Sequence, residues 1–240
     1  MENGTAPKPA GKGTPDAMTA DTPASGHTQV ASPGVLMLQG LATPFFSRLA
    51  SRLTQTGHRV HRVYYCGADW LFRGADDGQV SHHAFTGKPD TLPAFYAALV
   101  AREEISTILL FGDCRPVHEP ALKLAREKGL TLYAFDEGYI RPGWVTMEAD
   151  GTNGRSRMPR TLAAIQALAQ AAGNRRDNTS PVATDWTRRT WMDIAGHAGN
   201  IAYKWRFRHY RSHRPAPLHR EAYGWARRLS SGVAYGRQNA

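Results

Sequence analysis

Hydrophobic residues along this chain alternate between short runs and longer stretches with a helical period. The short runs are rich in valine, isoleucine, leucine and aromatic residues and are closed by turn-forming residues, as buried strands usually are. Four strands are predicted in this way, over Val35–Leu38, Val60–Tyr64, Thr107–Phe111 and Leu130–Phe135.

The stretches between these strands carry apolar residues at three- and four-residue spacing, which predicts helices. The first helix begins at Thr43-Pro44, because threonine can cap free N–H groups and proline fits the first turn, and it ends at Gly57. Two more helices are predicted over Leu92–Ala101 and Glu119–Lys128. Strands alternating with helices of this length indicate right-handed crossovers and an α/β fold with a Rossmann-like parallel sheet.

The same pattern divides the chain into three parts. Residues 1–33 are rich in proline, glycine, alanine, threonine and serine, so we expect a disordered leader. Residues 34–160 hold the alternating elements and form the predicted Rossmann-like lobe. Residues 161–240 form a basic, tryptophan-rich segment that is predicted to be largely helical.

Two helices are predicted in this last segment, over Thr161–Ala172 and Trp186–Arg211. The second has one apolar stripe, formed by Trp191, Ile194, Ala198, Ile201 and Trp205. Three interpretations of the stripe stay open: it packs on the first lobe, it lies on an anionic membrane, or it belongs to a nucleic-acid-binding surface.

Composition narrows the class of protein. The chain has 240 residues, 41% of them hydrophobic, which is enough for one large domain or two small ones. No apolar run approaches the roughly 20 residues that cross a bilayer, and the N-terminus lacks a secretory signal pattern. The two cysteines, Cys66 and Cys114, have neither zinc-site nor disulfide-framework spacing. We therefore expect a cytoplasmic protein.

Charge is unevenly distributed along the chain. Residues 1–150 carry 14 Lys or Arg against 16 Asp or Glu, a net charge of −2. Residues 151–240 carry 16 against 4, a net charge of +12. This asymmetry indicates an anionic partner for the second part, such as lipid headgroups, nucleic acid or a phosphorylated sugar.

Polar residues and glycines follow all four predicted strands. In a parallel sheet the carboxyl ends of the strands share one edge, where ligands bind. Asp113 and Glu137 are candidates for a general base or for acceptors of sugar hydroxyl groups. The alternative interpretation is that the polar residues and glycines at each strand end only form an ordinary turn. The candidate substrate-binding residues at these ends are Gln39, Gly40, Asp69, Gly138 and Tyr139.

Arginines flank the acidic turns, and an arginine can bind a carboxylate or phosphate through two parallel hydrogen bonds. Arg115 and Arg141 each precede a proline and are candidate ligand contacts. Arg155 and Arg157 follow as further candidates, with surface charge as the alternative for Arg157.

Histidines give no metal-site pattern. His82 and His83 are adjacent in a predicted extended loop, so their side chains point in opposite directions, and no acid lies at ligand spacing. We therefore expect no metal. His118 lies near the start of a predicted helix and is expected to be a polar surface residue, with contact to a ligand at the cleft as the alternative.

A series of unusual motifs follows the four predicted strands and the turns between them. They are Gln39-Gly40, Phe45-Phe46-Ser47-Arg48-Leu49-Ala50, Gly57-His58-Arg59-Val60, Gly67-Ala68-Asp69-Trp70, Phe111-Gly112-Asp113-Cys114-Arg115-Pro116, Glu137-Gly138-Tyr139-Ile140-Arg141-Pro142, Trp144-Val145-Thr146 and Asn153-Gly154-Arg155-Ser156-Arg157. In these motifs and their order, residues 35–160 resemble the capsular polysaccharide biosynthesis and export proteins of Gram-negative bacteria.

The resemblance implies a glycosyltransferase of the two-lobed GT-B kind, which transfers the sugar acid Kdo. Its donor would be CMP-Kdo, with no cofactor or metal, and its acceptor an anionic, phosphatidylglycerol-type lipid at the inner membrane. It further implies a cytoplasmic protein peripheral to that membrane, other capsule synthesis and export proteins as partners, and no nucleic acid. The strand-end carboxylates and arginines would face the acceptor and the reacting sugar.

Family members continue into a second Rossmann-like lobe, in which a His-Pro motif helps to hold the nucleotide donor. This chain contains no His-Pro pair, and we expect it to lack that donor lobe, with residues 161–240 leading towards it. The alternative function is a non-catalytic, membrane-associated scaffold of the capsule assembly machinery.

Overall fold

The fold is built on one six-stranded sheet with helices on both of its faces. The structure is a computed structural model and describes residues 33–138, 144–173, 185–213, 220, 223–224 and 226–227. The strands are β1 (Gly34–Met37), β2 (Arg59–Tyr64), β3 (Val80–Ala84), β4 (Ile105–Phe111), β5 (Thr131–Glu137) and β6 (Val145–Ala149).

The strand order is β3-β2-β1-β4-β5-β6. The first five strands in this order are mutually parallel, and β6 pairs with β5 in the antiparallel direction. Because β1 has β2 on one side and β4 on the other, the direction of winding reverses at β1. The predicted α/β, Rossmann-like parallel sheet is confirmed.

The described residues contain six α-helices beside the sheet. They are α1 (Phe45–Gln55), α2 (Gly67–Leu71), α3 (Leu92–Arg102), α4 (Glu119–Lys128), α5 (Leu162–Ala172) and α6 (Trp186–Ala202). In the part of the chain that the structure describes, no helix has the length and apolar character needed to cross a membrane.

Alternate residues of β1 belong to two different cores, which explains its continuous apolar run. Leu36 and Leu38 belong to the cluster that includes α3 and α4. Val35 and Met37 belong to the cluster that includes Phe46 of α1. A strand covered by helices on both faces buries every side chain, and so it reads as an unbroken hydrophobic run.

Four elements differ from the prediction. The edge strands β3 and β6 were not predicted, because their outer side chains are partly solvated and they lack a continuous apolar run. The short helix α2 lies where a loop was expected. Helix α6 ends at Ala202, whereas the stripe predicted a helix to Arg211; the chain continues through turns instead.

The two adjacent histidines lie on β3 and not in a loop. Their rings project towards different partners on β2, as alternating strand residues do. His82 Nδ1 is hydrogen-bonded to the Tyr64 hydroxyl at 2.5 Å, and His83 Nε2 lies 3.3 Å from His61 Nδ1. Burial lowers the pKa of both His82 and His83.

Candidate functional site: a polar cluster at the strand ends

The candidate site lies at the carboxyl ends of the parallel strands β1, β2, β4 and β5. Their parallel pairing brings the four predicted strand ends to one edge of the sheet, as the sequence indicated. In open α/β sheets the ligand crevice lies where the direction of winding reverses, which here is outside β1 and β4. We use the name strand-end cluster for the polar residues Gln39, Asp69, Arg115 and Tyr210 at this edge.

Gln39 follows β1 and forms the centre of this cluster. It is buried, and its Nε2 donates a hydrogen bond of 2.9 Å to Asp69 Oδ2. The same carboxylate oxygen accepts a bond of 3.1 Å from the backbone N–H of Tyr65. Burial raises the pKa of Asp69, while these two hydrogen bonds and the charge of Arg115 act in the opposite direction.

Tyr210 joins the cluster from the segment that follows α6. Its hydroxyl lies 3.0 Å from Gln39 Nε2 and 3.3 Å from Gln39 Oε1, although the two residues are 171 positions apart in sequence. Burial raises the pKa of Tyr210, so the phenol is neutral. Sequence reasoning missed this residue, since no local pattern relates a tyrosine in a basic segment to the end of β1.

Arg115 connects the end of β4 to the end of β1. Its Nη1 donates a hydrogen bond of 2.8 Å to the carbonyl oxygen of Gly40. Burial lowers the pKa of this guanidinium and the charge of Asp69 raises it. An arginine pKa starts so high that the group stays cationic, and the cluster therefore contains a partly buried positive charge beside an acid.

Asp113 binds the loop that follows β6. Its carboxylate is buried, and Oδ2 accepts a hydrogen bond of 3.1 Å from the backbone N–H of Thr152. Its backbone carbonyl accepts a further bond of 3.1 Å from Arg155 Nη1. Two of the predicted site residues, Asp113 and Arg155, are therefore brought together, and both hold the turn beside the sheet edge.

Glu137 ends β5 and is only half-buried. Its Oε1 forms an ion pair of 3.3 Å with Arg189 Nη2 of α6. The next residue, Gly138, donates its N–H to the carbonyl oxygen of Trp144 at 2.8 Å, and a Cβ atom at Gly138 would lie 2.4 Å from Trp144 Cβ. Glycine at this position lets the chain leave β5 and return as β6.

The remaining predicted site residues are more distant from the cluster or outside the description. Arg157 forms an exposed ion pair of 2.8 Å with Asp150. Tyr139 and Arg141 lie outside the described residues.

Helix α6 lies across the strand-end edge. Its first turn reaches β5 through the ion pair of Arg189 described above. Further along, Asn200 Oδ1 accepts a hydrogen bond of 2.8 Å from the N–H of Ala68 in α2. A Cβ atom at Gly67 would lie 1.9 Å from the carbonyl oxygen of Gly199, so these two glycines allow the helices to touch backbone to backbone.

His118 was expected at the surface, and this prediction is wrong. The residue precedes α4 and is fully buried, with Nδ1 2.7 Å from the carbonyl oxygen of Gly112. Burial lowers the pKa of His118 to about 3, helped by the positive charges of Arg115 and His213. Among the described residues its Nε2 has no hydrogen-bond partner. The imidazole is therefore neutral, with Nδ1 carrying the proton that it donates to Gly112.

Comparisons with known proteins support the family resemblance that the motifs indicate. The family model described as capsule polysaccharide biosynthesis protein matches residues 106–240. The capsule polysaccharide export protein KpsS of Escherichia coli is 32% identical over 200 residues, which are 80% of this chain and 48% of that protein. The capsule polysaccharide modification protein LipB of Neisseria meningitidis, from serogroups A and B, is 36% identical over 127 residues, which are 52% of this chain and 30% of that protein.

The chain thus spans about half of the length of KpsS and less than a third of that of LipB. The family model itself covers more than half of the chain, and its span includes the ends of β4 and β5 together with α6. The chain therefore belongs to the capsule polysaccharide biosynthesis protein family.

Proposed function

We propose that this protein acts in capsule polysaccharide biosynthesis as part of a glycosyltransferase that transfers Kdo from CMP-Kdo to a phosphatidylglycerol-type lipid. It would work in the cytoplasm, at the surface of the inner membrane, and in contact with other capsule synthesis and export proteins. Family membership supports the process, and the motif resemblance supports the donor and the acceptor.

The observation that carries the proposal is the burial of Gln39 and Asp69 at the strand ends, beside the half-buried Arg115. Burying polar and charged groups costs stability unless they are hydrogen-bonded, and apolar residues would close this edge at lower cost. A polar cluster at the point where the winding reverses is what a sugar-binding crevice needs, because amides, carboxylates and guanidinium groups bind hydroxyl and carboxylate groups.

The proposed reaction has a simple balance. The oxygen of an acceptor hydroxyl bonds to the anomeric carbon of Kdo, the bond from that carbon to the phosphate oxygen breaks, and CMP leaves with the electron pair. The proton of the hydroxyl passes to a carboxylate acting as general base. Glu137 suits this role, because it is half-buried at the sheet edge and remains partly accessible.

Asp113 suits a positioning role in this proposal. Its buried carboxylate holds the Thr152 backbone, and its carbonyl holds Arg155. Replacing Asp113 by alanine would remove the acceptor of the Thr152 N–H and so loosen the turn that carries Arg155. Transfer should then fall because substrate binds less well.

The test measures transfer by the full chain from CMP-Kdo to a short-chain phosphatidylglycerol, with the product detected by mass spectrometry. Glu137→Gln should reduce turnover by about a hundredfold or more, the usual contribution of a general base. The matched control is Glu127→Gln, an exposed carboxylate on α4, which should keep the turnover of the parent chain. Equal turnover in both variants removes Glu137 from the mechanism. The proposal is refuted if the parent chain shows neither binding of CMP-Kdo nor transfer from it.

A non-catalytic scaffold is the second candidate function. It is favoured by the position of Tyr210, whose hydroxyl is hydrogen-bonded to Gln39 and fills space at the strand ends. A scaffold would bind a capsule-assembly partner without binding the donor. Calorimetric titration with CMP-Kdo separates the two candidate functions. If CMP-Kdo binds to the parent chain and binds more weakly to the Gln39→Ala variant, a donor site must lie at this edge.

A further inference from the structure

The apolar stripe predicted over α6 and the residues after it has three interpretations in the sequence: packing on the first lobe, contact with an anionic membrane, or contact with nucleic acid. Helix α6 uses one face to contact the rest of the fold. On that face Gly196 and Gly199 are buried, and a Cβ atom at Gly196 would lie 3.0 Å from Ala42 Cβ. Asn200 adds its hydrogen bond to α2.

The opposite face carries the stripe, and it is exposed. Trp191 is 65% exposed, Ile194 51%, Ile201 67% and Trp205 73%. At about 100° per residue Trp191, Ile194 and Ile201 of α6 fall within roughly 80° of arc, and Trp205 lies exposed in the turns that follow the helix. The stripe therefore does not pack on the sheet, which removes the first of the three interpretations.

An apolar surface of this kind is unusual on a soluble domain. Scattered single hydrophobic residues are normal, whereas a contiguous patch marks an interaction surface. Exposed tryptophan and isoleucine on one face of a helix are typical of helices that lie in the interface of a bilayer, where the indole ring sits at headgroup level.

The charge of the same segment identifies the kind of bilayer. Residues 185–213 contain six Lys or Arg and two Asp, a net charge of +4. Arg188, Lys204, Arg208 and Arg211 are all exposed. Basic side chains beside an interfacial helix attract anionic headgroups, and this attraction weakens as salt screens it.

We propose that the exposed stripe of α6, together with Trp205 in the turns after the helix, is the surface through which this protein lies on an anionic lipid bilayer, with Trp191 and Trp205 at the level of the headgroups. This deepens the proposed function, because it names the surface that brings the strand ends to a lipid acceptor. The ion pair of Arg189 with Glu137 holds α6 at those strand ends, so a bilayer against the stripe would lie on the outer side of the helix that covers this edge.

The test is co-sedimentation of the full chain with vesicles of phosphatidylcholine, with and without phosphatidylglycerol. We expect binding to the anionic vesicles that weakens with salt, and about tenfold weaker binding by the double variant Trp191→Ser/Trp205→Ser. The matched control is Leu162→Ser, because Leu162 is 72% exposed on α5, a helix without Lys or Arg. Both altered tryptophans are exposed, so the circular dichroism spectrum should match that of the parent chain.

Three results would overturn the proposal. Equal binding by the parent chain and the double variant shows that the stripe is not the contact. Equal losses in the double variant and in Leu162→Ser show that any exposed apolar residue suffices. A dimer that dissociates in the double variant, without vesicle binding by the parent chain, assigns the stripe to a second copy.

The experiment separates this proposal from the proposed function, because it needs no sugar donor. Vesicle binding without turnover of CMP-Kdo supports the membrane surface and refutes the transferase. Turnover with a soluble short-chain acceptor, without vesicle binding, supports the transferase and refutes the membrane surface.

Discussion

The buried imidazole of His118 should make the stability of this protein depend on pH. Its side chain is fully buried at the start of α4 and hydrogen-bonded to the Gly112 carbonyl, and its pKa is lowered to about 3 from an ordinary value of 6.5. Protonation would place a cation in an apolar environment close to the positive charge of Arg115.

The direction of the pH dependence of stability follows from the numbers of protons bound in the folded and unfolded states. Between the two pKa values the unfolded chain holds a proton on His118 that the folded chain does not, so the free energy of unfolding rises with pH. The stabilisation is complete above the ordinary pKa of 6.5 and is lost as the pH falls towards 3. From pH 7.5 to pH 5 this one group should lower the free energy of unfolding by about 2 kcal/mol.

The assay is urea unfolding at these two pH values, followed by tryptophan fluorescence, for the parent chain and His118→Asn. The asparagine amide can keep the hydrogen bond to Gly112 but cannot titrate, so the variant should lose about 2 kcal/mol of the pH dependence. His61, His82 and His83 also have pKa values lowered by burial, and they contribute equally to both proteins. The difference between the two slopes therefore isolates His118.

The control is His58→Asn, which removes an exposed imidazole and should keep the pH dependence of the parent chain. The reasoning is refuted if His118→Asn and the parent chain lose the same free energy between the two pH values. That result would mean that the imidazole is not held neutral in the folded state.

Two further predictions concern backbone contacts that only glycine permits. Gly138→Ala should lower the free energy of unfolding by roughly 2 kcal/mol, because its Cβ would overlap Trp144 where β5 meets β6; thermal unfolding measures the loss. Gly67→Ala should displace α6 from α2, because its Cβ would lie 1.9 Å from the Gly199 carbonyl oxygen, and amide hydrogen exchange in α6 should become faster. Gly154→Ala, where a Cβ meets no atom within 4 Å, is the control for both, and equal behaviour of all three variants would contradict the packing described.

The central strands and the helices beside them could be predicted from the sequence with good accuracy. Strands β1, β2, β4 and β5 lie in the interior of the sheet and are largely buried, so their apolar runs are local signals. The edge strands β3 and β6 were missed because each has one side without a neighbouring strand and mixes polar with apolar residues. Their strand conformation depends on pairing with β2 and β5.

The candidate site was predictable in position but not in composition. Gln39, Asp69 and Arg115 were identified from their places after predicted strands, and the structure brings them together at one edge. Tyr210 and His118 were not identified, because neither lies in a pattern that differs from an ordinary surface position.

The sequence by itself determined the parallel core and the edge at which its polar residues gather, since hydrophobic period and turn chemistry are properties of neighbouring residues. Only the tertiary structure decided that α6 turns its glycines inward and Trp191 outward. An apolar stripe normally faces the core, but the backbone contact between Gly199 and Gly67 and the bond from Ala68 to Asn200 fix the opposite face against α2. These contacts join residues more than 130 positions apart, and no local pattern contains them.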